Sequence, residues 1–139
     1  MIYRILAFIC LVLLAGCSSS DERFYSKLGQ INSAIDTSLA SFESKQYTIV
    51  VEALDGLDAE IDEVASDFPE HRSELMPHFQ KALIYAMLST AHENLGEKEH
   101  ARLSKLAFKE ELEELEIDMV AADAFLDRVI ETKREDGRN

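Results

Sequence analysis

PHFQKALIYAMLSTAHENL, from Pro77 to Leu95, is the stretch on which the fold turns. Its apolar positions include Phe79, Ala82, Leu83, Ile84, Tyr85, Ala86, Met87, Leu88, Ala91 and Leu95. At helical periodicity they cover more than one face. A surface helix keeps a single apolar stripe, whereas one that is apolar on several sides must be surrounded by other elements. Pro77 suits the first turn of a helix, and Gly96 suits the left-handed residue that closes one. The stretch is therefore expected to be the central, most buried helix. The fold class that follows is all-α: a four- to five-helix antiparallel bundle of helical hairpins.

The segments on the amino-terminal side supply partners for that helix. Phe24, Leu28, Ile31, Ile35, Leu39 and Phe42 recur at steps of three or four, so one amphipathic helix is expected there. Glu43-Ser44-Lys45-Gln46 interrupts the stripe. A second run follows at Tyr47, Val50, Val51, Leu54, Leu57, Ile61, Val64 and Phe68, with Asp55, Asp58, Asp62 and Asp67 mostly off its face. So short a connection makes the two helices antiparallel neighbours. Gly56 inside the second run implies either a bend or a close backbone approach. Pro69 ends that run, leaving residues 70–76 as a short helical turn or loop.

On the carboxyl-terminal side, residues 97–135 contain no Gly or Pro, and one stripe from Ala101 through Phe108, Leu112, Leu115, Met119, Ala122 and Leu126 to Ile130 stays in phase. A single helix over this span would be about 57 Å long, against about 30 Å for the other helices, and would overhang the bundle. The alternative is a break near Glu116-Ile117-Asp118, with Asp118 as N-cap and the last segment folded back. The single domain is expected to occupy residues 23–134, with a frayed tail at 135–139.

Composition narrows the partners. The 139 residues carry 27 Asp+Glu against 14 Lys+Arg, a formal net charge of −13. Such a surface repels phosphate backbones, so nucleic acid is excluded as a partner, and it draws in basic proteins at a rate that falls with salt. The only cysteines are Cys10 and Cys17, so the domain has neither a disulfide nor a thiolate metal site, and its stability rests on burial.

The chain opens MIYRILAFICLVLLAGC: Arg4, an unbroken apolar run of 11 residues from Ile5 to Ala15, then Gly16 and Cys17. The run would rise about 17 Å as a helix, too short for a hydrocarbon core of about 30 Å, and it has the parts of a secretory signal. Its end, Leu14-Ala15-Gly16-Cys17 followed by Ser18-Ser19-Ser20, resembles the lipobox of bacterial lipoproteins. That resemblance implies cleavage between Gly16 and Cys17, removal of residues 1–16, and acylation at Cys17. Residues 17–22 then form a short tether, with Ser18–Glu22 reaching at most about 18 Å. The membrane partner is thus the lipid anchor alone. Ser18, in place of Asp, looks like release to the periplasmic side of the outer membrane, with the inner membrane as the alternative.

Residues 82–108 also resemble a tetratricopeptide helical hairpin. Tyr85, Leu88, Ser89, Gly96 and Ala101 meet its pattern of aromatic, Leu, small residue, turn Gly and Ala. His92 and Lys105 stand where the family has aromatics, no closing Pro follows, and no stack of three repeats is present.

Motifs that carry chemistry are few. His92-Glu93-Asn94-Leu95-Gly96 begins like a two-His zinc helix but has Gly96 at the second His position. Glu97 and His100 make half of a di-iron carboxylate pattern and read as a solvated first turn. His71 and His78 are expected at the surface, and Glu110, Glu111, Glu113, Glu114 and Glu116 on the water side of their helix. No phosphate loop or serine elbow appears, so no catalytic residues, metal or cofactor are expected. The surplus of apolar residues on the last helix instead points to a partner-binding patch at Phe125, Leu126, Val129 and Ile130, rimmed by Asp123, Asp127 and Glu131. The expected function is a lipid-anchored helical adaptor or scaffold for an envelope protein. The alternatives are a tethered inhibitor or immunity-type protein against a basic envelope enzyme, or that the apolar patch packs within the bundle itself or against a second copy in a homodimer.

Overall fold

A computed structural model describes the backbone of residues 2–138 and the side chains from Ser20 onward. The side chains of the expected signal segment, with those of the cleavage and lipidation sites at Gly16 and Cys17, lie outside those described. Among the described residues the elements are α1 (Ile2–Glu43), α2 (Tyr47–Leu54), α3 (Leu57–Asp67), a 3₁₀ turn (Pro69–His71), α4 (Met76–Asn94), α5 (Lys98–Glu114) and α6 (Ala122–Asp136), with no strand. The fold is an all-α antiparallel bundle of five helical stretches, the second of them divided into α2 and α3.

Helix α4 is the hub. It packs on α1, α2, α3, α5 and α6, and Ala82, Leu83, Ile84, Ala86 and Met87 are fully enclosed. Each large aliphatic side chain so buried contributes about 1.5–3 kcal/mol relative to exposure. The apolar stripes of the other helices converge on it: Phe24, Leu28, Ile35 and Leu39 from α1, Leu54 and Ile61 from α2 and α3, Phe108 and Leu112 from α5, Leu126 from α6. The α4–α5 hairpin is the closest pairing, and the small side chains of Ser89 and Ala101 are buried within it.

Three helices end in the same way. After α1, α4 and α5, the amide at the left-handed residue donates to a carbonyl three residues back, and the next amide donates five residues back. This is the Schellman closure. Only the middle one uses glycine (Gly96, φ 76°); Lys45 (φ 58°) and Glu116 (φ 54°) adopt the same conformation with side chains. Glu116 is therefore where the long carboxyl-terminal stripe breaks. Helix α6 folds back from there, but its N-cap is Ala121 and not Asp118, which lies in the linker. Gly56, at φ 77°, separates α2 from α3. A Cβ there would meet nothing within 4 Å, so the residue serves a bend and not a close approach.

The two ends of the bundle are set by pairings between elements. Gln80 Nε2 donates to the Leu28 carbonyl at 2.9 Å, Ser20 Oγ donates to Glu70 at 2.8 Å, and Tyr25 Oη donates to Glu74 at 3.0 Å. These place the start of α4 and the Pro69–His71 turn beside the Ser20 end of α1. At the other end, Lys133 pairs with Asp36, and Arg134 lies 3.4 Å from Glu43. Residues 20–22, expected as part of a tether, are helical and fastened to the domain through Ser20 and Asp21. Helix α6 continues to Asp136, into the segment 135–139 expected as a frayed tail.

Candidate partner-binding groove

Helix α6 lies across the bundle with one flank over Phe79 of α4. Between them runs a cleft of about 560 Å³, lined mainly by Phe79, Ile117, Val120, Phe125, Arg128 and Val129. The register of α6 creates it. Ala124, Phe125, Arg128, Val129 and Thr132 recur at steps of one, three, one and three, so they share one flank. The floor is aromatic: Phe125 meets Phe79 with centroids 5.9 Å apart, and Phe108 edge-on at 5.3 Å. Volume and apolar lining fall within the range of sites that hold a small apolar ligand or an anchoring side chain.

The four residues expected as a patch do not act together. Leu126 is sealed in the core at 1% exposure and leaves no surface to bind with. Phe125 is also a core residue, and only its edge reaches the cleft. Val129 lines the cleft. Ile130 turns to the other flank, where it faces Phe42 and Tyr47 beside Asp127 and Glu131. Of the expected acidic rim, Asp127 and Glu131 border that flank, while the cleft itself carries positive charge from Arg128 and Lys133. Lys133 is paired with Asp36, whereas Arg128 makes no ion pair among the described residues. Phe79, the cleft's opposite wall, stands 39% exposed. Its signal in the sequence is its place in the first turn of α4, where fewer neighbours cover it.

A second cluster lies where α3, α4 and α5 meet. His78 Nδ1–H donates to Glu111 Oε2 at 2.7 Å, Lys81 Nζ donates to Glu111 Oε1 at 3.0 Å, and Lys81 also reaches Asp62 at 3.0 Å. Beside it, Tyr85 donates to Asp58 at 3.0 Å. Glu111 is buried, not on the water side as expected, because it falls three residues after Phe108 and four before Leu115, in phase with the stripe. His78 and His71, expected at the surface, are both half-buried and bonded to carboxylates, Glu111 and Asp21. Burial works to lower the Lys81 pKa, but hydrogen bonds and charge from Asp62 and Glu111 outweigh it and raise the value above 10.5. Burial, with Asp58 beside it, raises that of Tyr85 well above 10. Both groups hold their protons far past neutrality, so the cluster reads as a clamp between three helices.

The half di-iron pattern is spent locally. Glu97 accepts from His92 Nδ1 at 2.5 Å, and His100 stacks on His92 with centroids 5.1 Å apart. Among the described residues no three His, Cys, Asp or Glu side chains gather at metal-binding distance, and no helix is long and apolar enough to cross a membrane. Comparison of the chain with family models, curated proteins and solved structures finds no match.

Proposed function

We propose that this chain is a lipid-anchored, periplasm-facing helical adaptor, carried on the outer membrane through Cys17, that holds an apolar segment of a partner envelope protein in the cleft beside α6. The observation that carries the reading is the cleft itself, an open apolar groove with an aromatic floor and the unpaired guanidinium of Arg128 on its wall. Grooves of this form take one or two anchoring side chains from a partner helix or extended strand, and a carboxylate on that segment complements Arg128. The lipobox-like Leu14-Ala15-Gly16-Cys17 supports the anchoring, and the tetratricopeptide-like hairpin of α4 and α5 supports an interaction role. We assign it no catalytic activity.

The net charge of −13 favours one further reading, an anchored inhibitor of a basic envelope enzyme. The two separate in the same experiment. A photo-crosslinking residue is placed at Val129, and another at the exposed Glu52 on α2, and both are expressed in the native envelope. The adaptor reading expects a defined adduct from position 129 alone, lost in Arg128→Glu and insensitive to moderate salt. An adduct that forms equally from both positions, and no longer forms when the envelope is irradiated in raised salt, supports the inhibitor, and none from either abandons the groove.

A further inference from the structure

Six of the ten large apolar side chains that stay exposed among the described residues lie toward one end of the bundle, Phe79 and Ile117 among them, while Ile49, Leu95, Leu103 and Leu106 are exposed elsewhere. Tyr25, Leu75, Met76 and Met119 stand between 44% and 55% exposed. They form one neighbourhood. Tyr25 bonds to Glu74, which precedes Leu75 and Met76; Met76 lies one turn before Phe79; Phe79 shares its cleft with Ile117 and Val120, which bracket Met119. A soluble domain that faced water on all sides would gain nothing by grouping them. This is also the end at which α1 enters, held there by Ser20 on Glu70 and Asp21 on His71. Cys17 precedes Ser20 by three residues, so its sulfur lies within about 11 Å of chain from this end whatever path the chain takes.

We propose that this end face is a membrane seat, with Tyr25, Leu75, Met76 and Met119 resting in the interfacial layer of the bilayer that carries the anchor. The inference rests on the lipid anchoring proposed above and adds an orientation to it. The bilayer is the occupant because a tether this short keeps it at high local concentration against this end and no other. Side chains of this kind partition to the boundary between head groups and acyl chains, with a strength that follows their apolar area. The charges around them select the lipid. The exposed carboxylates Glu113, Glu116 and Asp118 outweigh Arg23 and Arg72 here, so the seat suits zwitterionic head groups and is weakened by anionic ones. Seated in this way, the domain stands on its end and the α6 cleft opens sideways into the periplasm.

The chain has no Trp, so a single reporter can be read without background. Protein expressed from the whole sequence and isolated from membranes carries Met119→Trp, or Ile49→Trp at the far end, and is reconstituted in phosphatidylcholine vesicles with brominated acyl chains. The expected result is loss of most emission from the position-119 reporter, none from position 49, and recovery of the former as phosphatidylglycerol is added. Mass spectrometry of the same sample reads the lipid on Cys17. A lipidated chain whose position-119 reporter is not quenched overturns the seat and leaves the anchoring intact. An unlipidated chain that is still quenched on vesicles supports the seat without the anchor, and one that is not overturns both. Concentration-dependent dimers in detergent that Met119→Glu abolishes would assign the face to a second copy of the chain, and overturn the seat.

Discussion

The imidazole of His71 lies flat on the ring of Phe24, with centroids 4.1 Å apart and planes 5° from parallel, while its Nε2 sits 2.8 Å from Asp21. Phe24 is itself fully buried and meets Phe68 edge-on at 5.7 Å. One side chain thus closes the α3–α4 connection onto α1. His71→Ala is expected to cost about 1–2 kcal/mol, combining a lost aromatic contact with a lost hydrogen bond. Asp21→Ala, whose carboxylate is largely exposed, is expected to cost less than about 1 kcal/mol. Urea titration of both variants checks the order, and hydrogen exchange should show faster opening at residues 68–75 in the first.

Neighbouring glutamates on α5 should behave very differently. Glu111→Ala leaves His78 without its acceptor and Lys81 with one carboxylate instead of two. Loss of a buried, charge-assisted pair of bonds is expected to lower stability by about 1–3 kcal/mol. Glu110→Ala, one residue away and exposed, should stay within about 0.5 kcal/mol of the parent. Equal midpoints for the two variants would show that the clamp contributes nothing.

The raised pKa values of Lys81 and Tyr85 predict an alkaline limit. In the folded chain both groups hold their protons more tightly than at their ordinary values of 10.5 and 10.0. The unfolded chain therefore releases protons first, and the stability these groups add is complete below pH 10 and lost as pH rises beyond it. Melting temperatures measured from pH 8 to 11 should fall steeply above pH 10. In Tyr85→Phe and Lys81→Met the fall should be shallower, and an unchanged slope in both would assign it to other groups.

Backbone conformation makes three substitutions predictable in sign. Gly29 lies inside α1 with nothing within 4 Å of an added Cβ, so Gly29→Ala should stabilise by about 0.5–1 kcal/mol. Gly56 sits at φ 77°, and Gly56→Ala should destabilise by about 1 kcal/mol. Glu116, at φ 54°, presents the reverse case: Glu116→Gly should stabilise by up to about 1 kcal/mol and leave α6 in place. Calorimetric melting of the three variants tests the set.

Legibility in the sequence followed burial. The stripe from Phe24 to Leu39, the many-sided Pro77–Leu95 helix and the turn at Gly96 could all be read, because periodic burial needs only local spacing. The break before α6 was legible as a conflict of lengths, although no glycine marked it, since Glu116 closes α5 in a glycine conformation. The groove was only half legible. Val129 could be found as a surplus apolar residue, but the sequence could not show that Leu126 turns inward, that Ile130 turns to the opposite flank, or that Phe79 forms the facing wall.

What the amino-acid order determined alone was therefore the class of fold, the central helix and the acidic, cysteine-free character of the domain. These depend on spacing and composition, which are local or additive. The tertiary structure decided that Glu111 is the buried carboxylate of α5, where His71 and His78 find their partners, and that Tyr25, Leu75, Met76 and Met119 lie toward the Ser20 end. Those facts depend on the rotation of each helix against the others, a choice between several nearly equivalent stripes that is made only when all of them pack at once.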